Sequence, residues 1–71
     1  MDRTSIHDEL SRVERDVVTG ERRLAEQERL IVDMRREGQN SLNAELELET
    51  LRENQRARDR DRQRLLSRLQ R

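Results

Sequence analysis

Ile6, Leu10, Val13, Val17, Leu24, Ile31 and Met34 follow one another along the first half of the chain in steps of four, three or seven. Such steps keep the side chains on one stripe of an α-helix, whereas a strand would need them to alternate with period two. With Leu10 as heptad position a, the a and d positions run Ile6, Leu10, Val13, Val17, Gly20, Leu24, Gln27, Ile31 and Met34. Only Gly20 and Gln27 in that series are not apolar. No proline interrupts it, so the spacing predicts one helix over 5–37, about 50 Å long at 1.5 Å per residue. Ser5 is expected to open that helix, with Asp8 three residues on completing a shortened capping box.

Gly38 is expected to end it, because glycine takes the left-handed conformation at a helix C-terminus without a steric cost. Arg35 and Arg36 precede it, where cations suit the helix dipole. A turn over 38–40 is too short for anything but a reversal. Asn40 or Ser41 can then cap a second helix over 41–70. Taking Leu48 as position a, its seam reads Ser41, Ala44, Leu48, Leu51, Gln55, Arg58, Arg62, Leu65 and Leu69. The expected fold is therefore all-α: a two-helix antiparallel coiled-coil hairpin forming a single unit over 1–71. Heptad geometry pairs residues whose numbers add to about 79. Ile31 then meets Leu48, Val13 meets Leu65 and Leu10 meets Leu69, so both ends are apolar. In the middle Leu24 faces Gln55, Gly20 faces Arg58 and Val17 faces Arg62.

Composition sets limits on that hairpin. Charged residues make up 45% of the 71 positions and hydrophobic ones 30%, a balance close to that of disordered chains. Abundant Glu, Arg, Leu and Gln with a helical repeat instead mark a coiled coil. There is no Cys, Phe, Trp or Tyr, so neither disulfides nor large aromatic side chains reinforce a core that a chain this short can hardly fill. A partner subunit is the remaining means. Val18, Ala25 and Val32 lie seven apart and off the seam, and Leu30, Leu42, Leu46 and Leu66 are expected to point away from it as well. Val18, Leu30, Val32, Leu42, Leu46 and Leu66 are thus the candidate oligomer or partner interface, concentrated around the turn. A homodimer closing into a four-helix bundle is the simplest use of them, with another protein as a further partner. The alternative is scattered surface aliphatics.

Three polar features bear on function. Gly20, Arg58 and Arg62 form a polar seam layer: glycine in mid-helix costs about 1 kcal/mol relative to alanine, and here it leaves room for the Arg58 stem or for a second hairpin. The two arginines are expected to pair with Asp16, Glu21, Asp59 or Asp61, and such a layer selects register or partner. Arg52, Arg56, Arg60, Arg64 and Arg68 recur every four residues on the second helix, a ridge that could follow a phosphate backbone. Net charge is zero and no aromatic is present to stack a base, which favours a solvated face over a nucleic-acid ridge. His7 is expected at the surface, and Glu45, Glu47, Glu49 and Glu53 lack the turn of a calcium loop.

A two-helix rod offers no enclosure in which a substrate could be held or a pKa tuned. The chain is expected not to be an enzyme, with no catalytic, cofactor or metal site and no small-molecule substrate. No apolar run approaches membrane length and no signal peptide is read, so the expected location is the cytoplasm.

Gly20-Glu21-Arg22, Leu24, Gln27, Ile31, Met34 and Gly38, followed by Ala44, Leu48, Leu51, Gln55 and Asp61-Arg62 with Leu65, carry a resemblance. Over residues 16–69 the chain resembles short uncharacterised helical-hairpin proteins of alphaproteobacteria. Many of those have a Gly-Glu-Arg opening, a Gly-Asp-Thr-like turn and an Asp-Arg-x-x-Leu ending. Here Gly38-Gln39-Asn40-Ser41 replaces the usual turn and keeps its capping character. The resemblance implies a hairpin and a bacterial cytoplasm, and brings no activity with it. The function expected is that of a small protein–protein interaction or regulatory module that self-associates through helical faces; the alternative is a nucleic-acid-associated protein using the arginine ridge.

Overall fold

A computed structural model describes residues 3–70; residues 1, 2 and 71 lie outside the described part. Two helices account for nearly all of it, α1 over Arg3–Arg36 and α2 over Leu42–Leu69. They fold back on each other into a rod of 54 × 14 × 14 Å. Helix α1 has 34 residues, and at about 1.5 Å per residue it alone accounts for nearly the whole length of the rod. Because α1 already includes Arg3, Ser5 sits within its first turn and does not precede the helix as a cap. Acidic side chains are also missing from that first turn.

The reversal is built from backbone hydrogen bonds. Gly38 has φ of 72°, its N–H donates to the Arg35 carbonyl at 3.1 Å, and the Gln39 N–H donates to the Met34 carbonyl at 2.9 Å. Those two bonds define a Schellman motif, which satisfies carbonyls that the end of a helix leaves unpaired. Asn40 then starts α2: its Oδ1 accepts from the Leu42 N–H at 2.9 Å. Ser41 makes no side-chain cap and instead donates from Oγ to Glu45 at 3.2 Å.

Nearly every described residue that is not exposed lies on the a and d positions of the two helices. Ile6, Leu10 and Leu65 are buried together at the open end, with Val13, Leu66 and Leu69 packed against them. Ile31, Ala44 and Leu48 are buried at the turn end, with Leu24 and Met34 alongside. Val17 and Leu51 are half-buried. The apolar core is therefore two separate clusters. No side chain in either is fully sealed from solvent, as expected when one helix covers only one side of the other.

Leu66 differs from its sequence reading: it leans onto the Ile6, Leu10 and Leu65 cluster instead of pointing outward. It occupies the heptad position beside the seam residue Leu65, and there the side chain of a long residue can reach back toward the partner helix.

An added Cβ at Gly38 would meet no atom within 4 Å, so only its φ requires glycine. Gly38→Ala is expected to destabilise the hairpin by about 1–2 kcal/mol, the cost of a left-handed L-residue, with Gly38→Asn milder. Thermal melts followed by circular dichroism check this; an unchanged melting temperature for Gly38→Ala would show that the turn does not hold the reversal.

Candidate interaction surfaces

Between the two apolar clusters the helices meet through polar groups, and Gln55 is the centre of them. It is buried to 7% exposure, and its Nε2 donates to the Val17 carbonyl across the seam at 2.8 Å. In a helix each carbonyl already accepts from the N–H four residues on, and its second lone pair stays usable only if nearby side chains do not cover it. The side chain three residues on from Val17 belongs to position 20, and glycine has none. A Cβ built on Gly20 would lie 1.9 Å from Gln55 Oε1 and 2.7 Å from Arg58 Nη1. The carboxamide thus fills the space that glycine leaves. Arg58 holds its far side, donating from Nη1 to Gln55 Oε1 at 3.4 Å.

This arrangement corrects the expected pairing. Leu24 packs on the turn-end cluster, and Gln55, expected opposite Leu24, is directed to Gly20 and Val17. The physical reason is the amide's need for an acceptor, which an apolar Leu24 cannot supply and a bare backbone carbonyl can. Arg58 does lie over Gly20, as the second of two groups there. Arg62 is half-buried and its Nε lies 3.8 Å from Glu14; the acids expected for it were Asp16, Glu21, Asp59 and Asp61. A reciprocal bond occurs nearer the turn, where Gln27 Nε2 donates to the Ala44 carbonyl at 2.9 Å. Among the described residues no buried side-chain nitrogen or oxygen lacks a partner.

The outer surfaces are charged. Arg35 pairs with Glu45 beside the turn. Arg52 lies 3.9 Å from both Glu28 and Glu49, Arg56 lies 3.5 Å from Glu49, and Arg64 lies 3.8 Å from Asp61. Every one of these side chains is more than a third exposed, so each pair contributes little stability. Three members of the arginine ridge therefore already face acids of the same chain. Arg60 and Arg68 are exposed.

Val18, Leu30, Val32, Leu42 and Leu46 are 46–60% exposed, and Ala25 is exposed with them. They do not make one patch around the turn. Leu30 and Val32 are two residues apart on one helix and so point about 160° away from each other. Leu42 and Leu46 share a ridge of α2, and Val18, Ala25 and Val32 share a separate ridge of α1, about 10 Å between successive members. Among the described residues, no group of three His, Asp or Glu is placed to hold a metal ion, and no helix is long and apolar enough to cross a membrane. No protein-family model, curated protein or solved structure matches the chain.

Gly20 and Gln55 should be coupled. Alanine at position 20 gains about 1 kcal/mol of helix propensity, yet it must displace the carboxamide and leave a buried amide unpaired, which costs about 1–3 kcal/mol. Gly20→Ala is expected to lower the melting temperature in the natural chain and to raise it when Gln55 is already alanine. A double-mutant cycle by thermal melting checks this, and additive effects of the two changes would contradict it.

Proposed function

We propose that this chain is a small, non-catalytic interaction protein that self-associates through its helical faces and acts by binding. The observation that carries the proposal is the mismatch between its two sets of aliphatic residues. Six are buried in two short clusters, none fully sealed, while five large ones stay 46–60% exposed. A hairpin with so small a core gains stability when a second copy covers exposed aliphatic surface, and a four-helix bundle is the smallest closed arrangement that does so. Another protein that presents a helix could dock on the same faces. In this reading the arginine ridge remains a solvated face, since Arg52, Arg56 and Arg64 stand beside acids of their own chain. The likeness of residues 16–69 to alphaproteobacterial hairpins supports a bacterial cytoplasm as the setting.

Sedimentation equilibrium combined with circular dichroism over a wide concentration range tests the reading. A helical dimer or tetramer that loses helicity on dilution is the expected result. A stable helical monomer at every concentration would contradict self-association.

A further inference from the structure

The α1 ridge of Val18, Ala25 and Val32 differs from the other exposed aliphatics in what borders it. Glu14 and Glu21 lie four residues before and three after Val18; Glu21 and Glu28 stand in the same relation to Ala25. These offsets put one glutamate column about 40–60° to one side of the ridge. On the other side, at three before and four after, stand Arg15 and Arg22 about Val18, then Arg22 and Arg29 about Ala25. All of these residues are exposed; the arginines lie on the outer side of α1, and the glutamates stand beside its seam, within reach of α2. An apolar stripe of one residue per heptad is narrower than the a and d seam of a coiled coil, and its acidic and basic walls can be matched by a helix that presents them in the opposite order.

The two walls choose that partner and its direction. We infer that the ridge takes α1 of a second copy in parallel and in register, Val18 on Val18 and Val32 on Val32. A twofold axis along the rod places Glu14, Glu21 and Glu28 of each copy against Arg15, Arg22 and Arg29 of the other, while beyond Val32 both columns are arginine, Arg35 and Arg36. An antiparallel copy would bring acid against acid and arginine against arginine, because reversing the helix keeps each wall on its own side. Glu28 and Glu14 already stand 3.9 and 3.8 Å from Arg52 and Arg62 of their own chain, but the glutamate side chains are 50–55% exposed and such pairs are weak, so both glutamates can also serve an arginine of a second copy. The walls set direction and the valines provide the contact, since exposed ion pairs contribute orientation more than affinity. This inference rests on the self-association proposed above and gives it an open side-by-side pairing of hairpins through α1 in place of a closed four-helix bundle. The pair it describes is weak and salt-sensitive, and it leaves Leu30, Leu42 and Leu46 open near the turn.

The chain has no cysteine, so single introduced cysteines report the geometry. Ser11 continues the ridge one heptad toward the N-terminus and is exposed. Ser11→Cys is expected to form an interchain disulfide under mild oxidation at low salt, and Ala25→Cys likewise. The Ser11→Cys yield is expected to fall several-fold at 1 M salt, where the screening length shrinks to about 3 Å. It should also be lost when Arg15, Arg22 and Arg29 are changed to Glu. In an antiparallel pair centred on Ala25, the two Ser11→Cys thiols would lie about 40 Å apart, far beyond disulfide reach. A bridge at Ala25→Cys alone would therefore overturn the parallel assignment. A yield indifferent to salt and to the charge change would overturn the role of the walls. Self-association by sedimentation with no bridge at either site would overturn this face while leaving self-association standing, and a monomer at every concentration would overturn both.

Discussion

The hairpin's register depends on one contact between unlike parts: the Gln55 carboxamide on the Val17 carbonyl, in the gap left by Gly20. Aliphatic clusters at the two ends supply most of the burial, but the hydrophobic effect behind them is non-directional. A buried amide is directional, because it must find an acceptor or go unpaired. Displacing α2 along α1 would carry Gln55 away from the bare carbonyl and put its head against Val13, Leu24 or their neighbours. Gln27 on the Ala44 carbonyl acts in the opposite sense, from α1 to α2. The two glutamines together tie each helix to the other's backbone, and the end clusters pack around that alignment.

A seam that spends its central layers on polar contacts has consequences for the surface. Core burial is confined to the ends of a rod 54 Å long, and the outer faces carry ion pairs too exposed to compensate. What remains on those faces is aliphatic ridges in three directions: Val18 to Val32 on one side of α1, Leu30 across from it, and Leu42 with Leu46 on α2. Their separation follows from the 100° step of the helix. The proposed association would then run through narrow stripes with charged borders, its direction set by charge pattern.

Much of the fold could be read in the sequence because heptad spacing and a helix-ending glycine are local signals. The a and d series named from Ile6 to Leu69 contains every described residue that the structure buries, and Gly38 turns the chain through the backbone conformation that its type permits. The interior of the polar layer was less legible. Heptad spacing singles out Gly20, Arg58 and Arg62 as the polar layer and sets Gln55 opposite Leu24. The signal that could have found it lies three residues before the glycine, where Val17 has a carbonyl that no side chain covers. Ser5 was misread because Asp8 imitates a capping box one turn too late, when α1 has already begun. Leu66 was misread because heptad labels assign a position, while a long side chain beside the seam can lean onto it.

The register at the polar layer is the central claim, and nuclear Overhauser contacts of the Gln55 side-chain NH2 test it most directly. The account predicts cross-peaks from that NH2 to the Gly20 α-protons and to Val17. Strong contacts from Gln55 to Leu24 and none to Gly20 would mean that the helices align by their aliphatic pairs, and would contradict it.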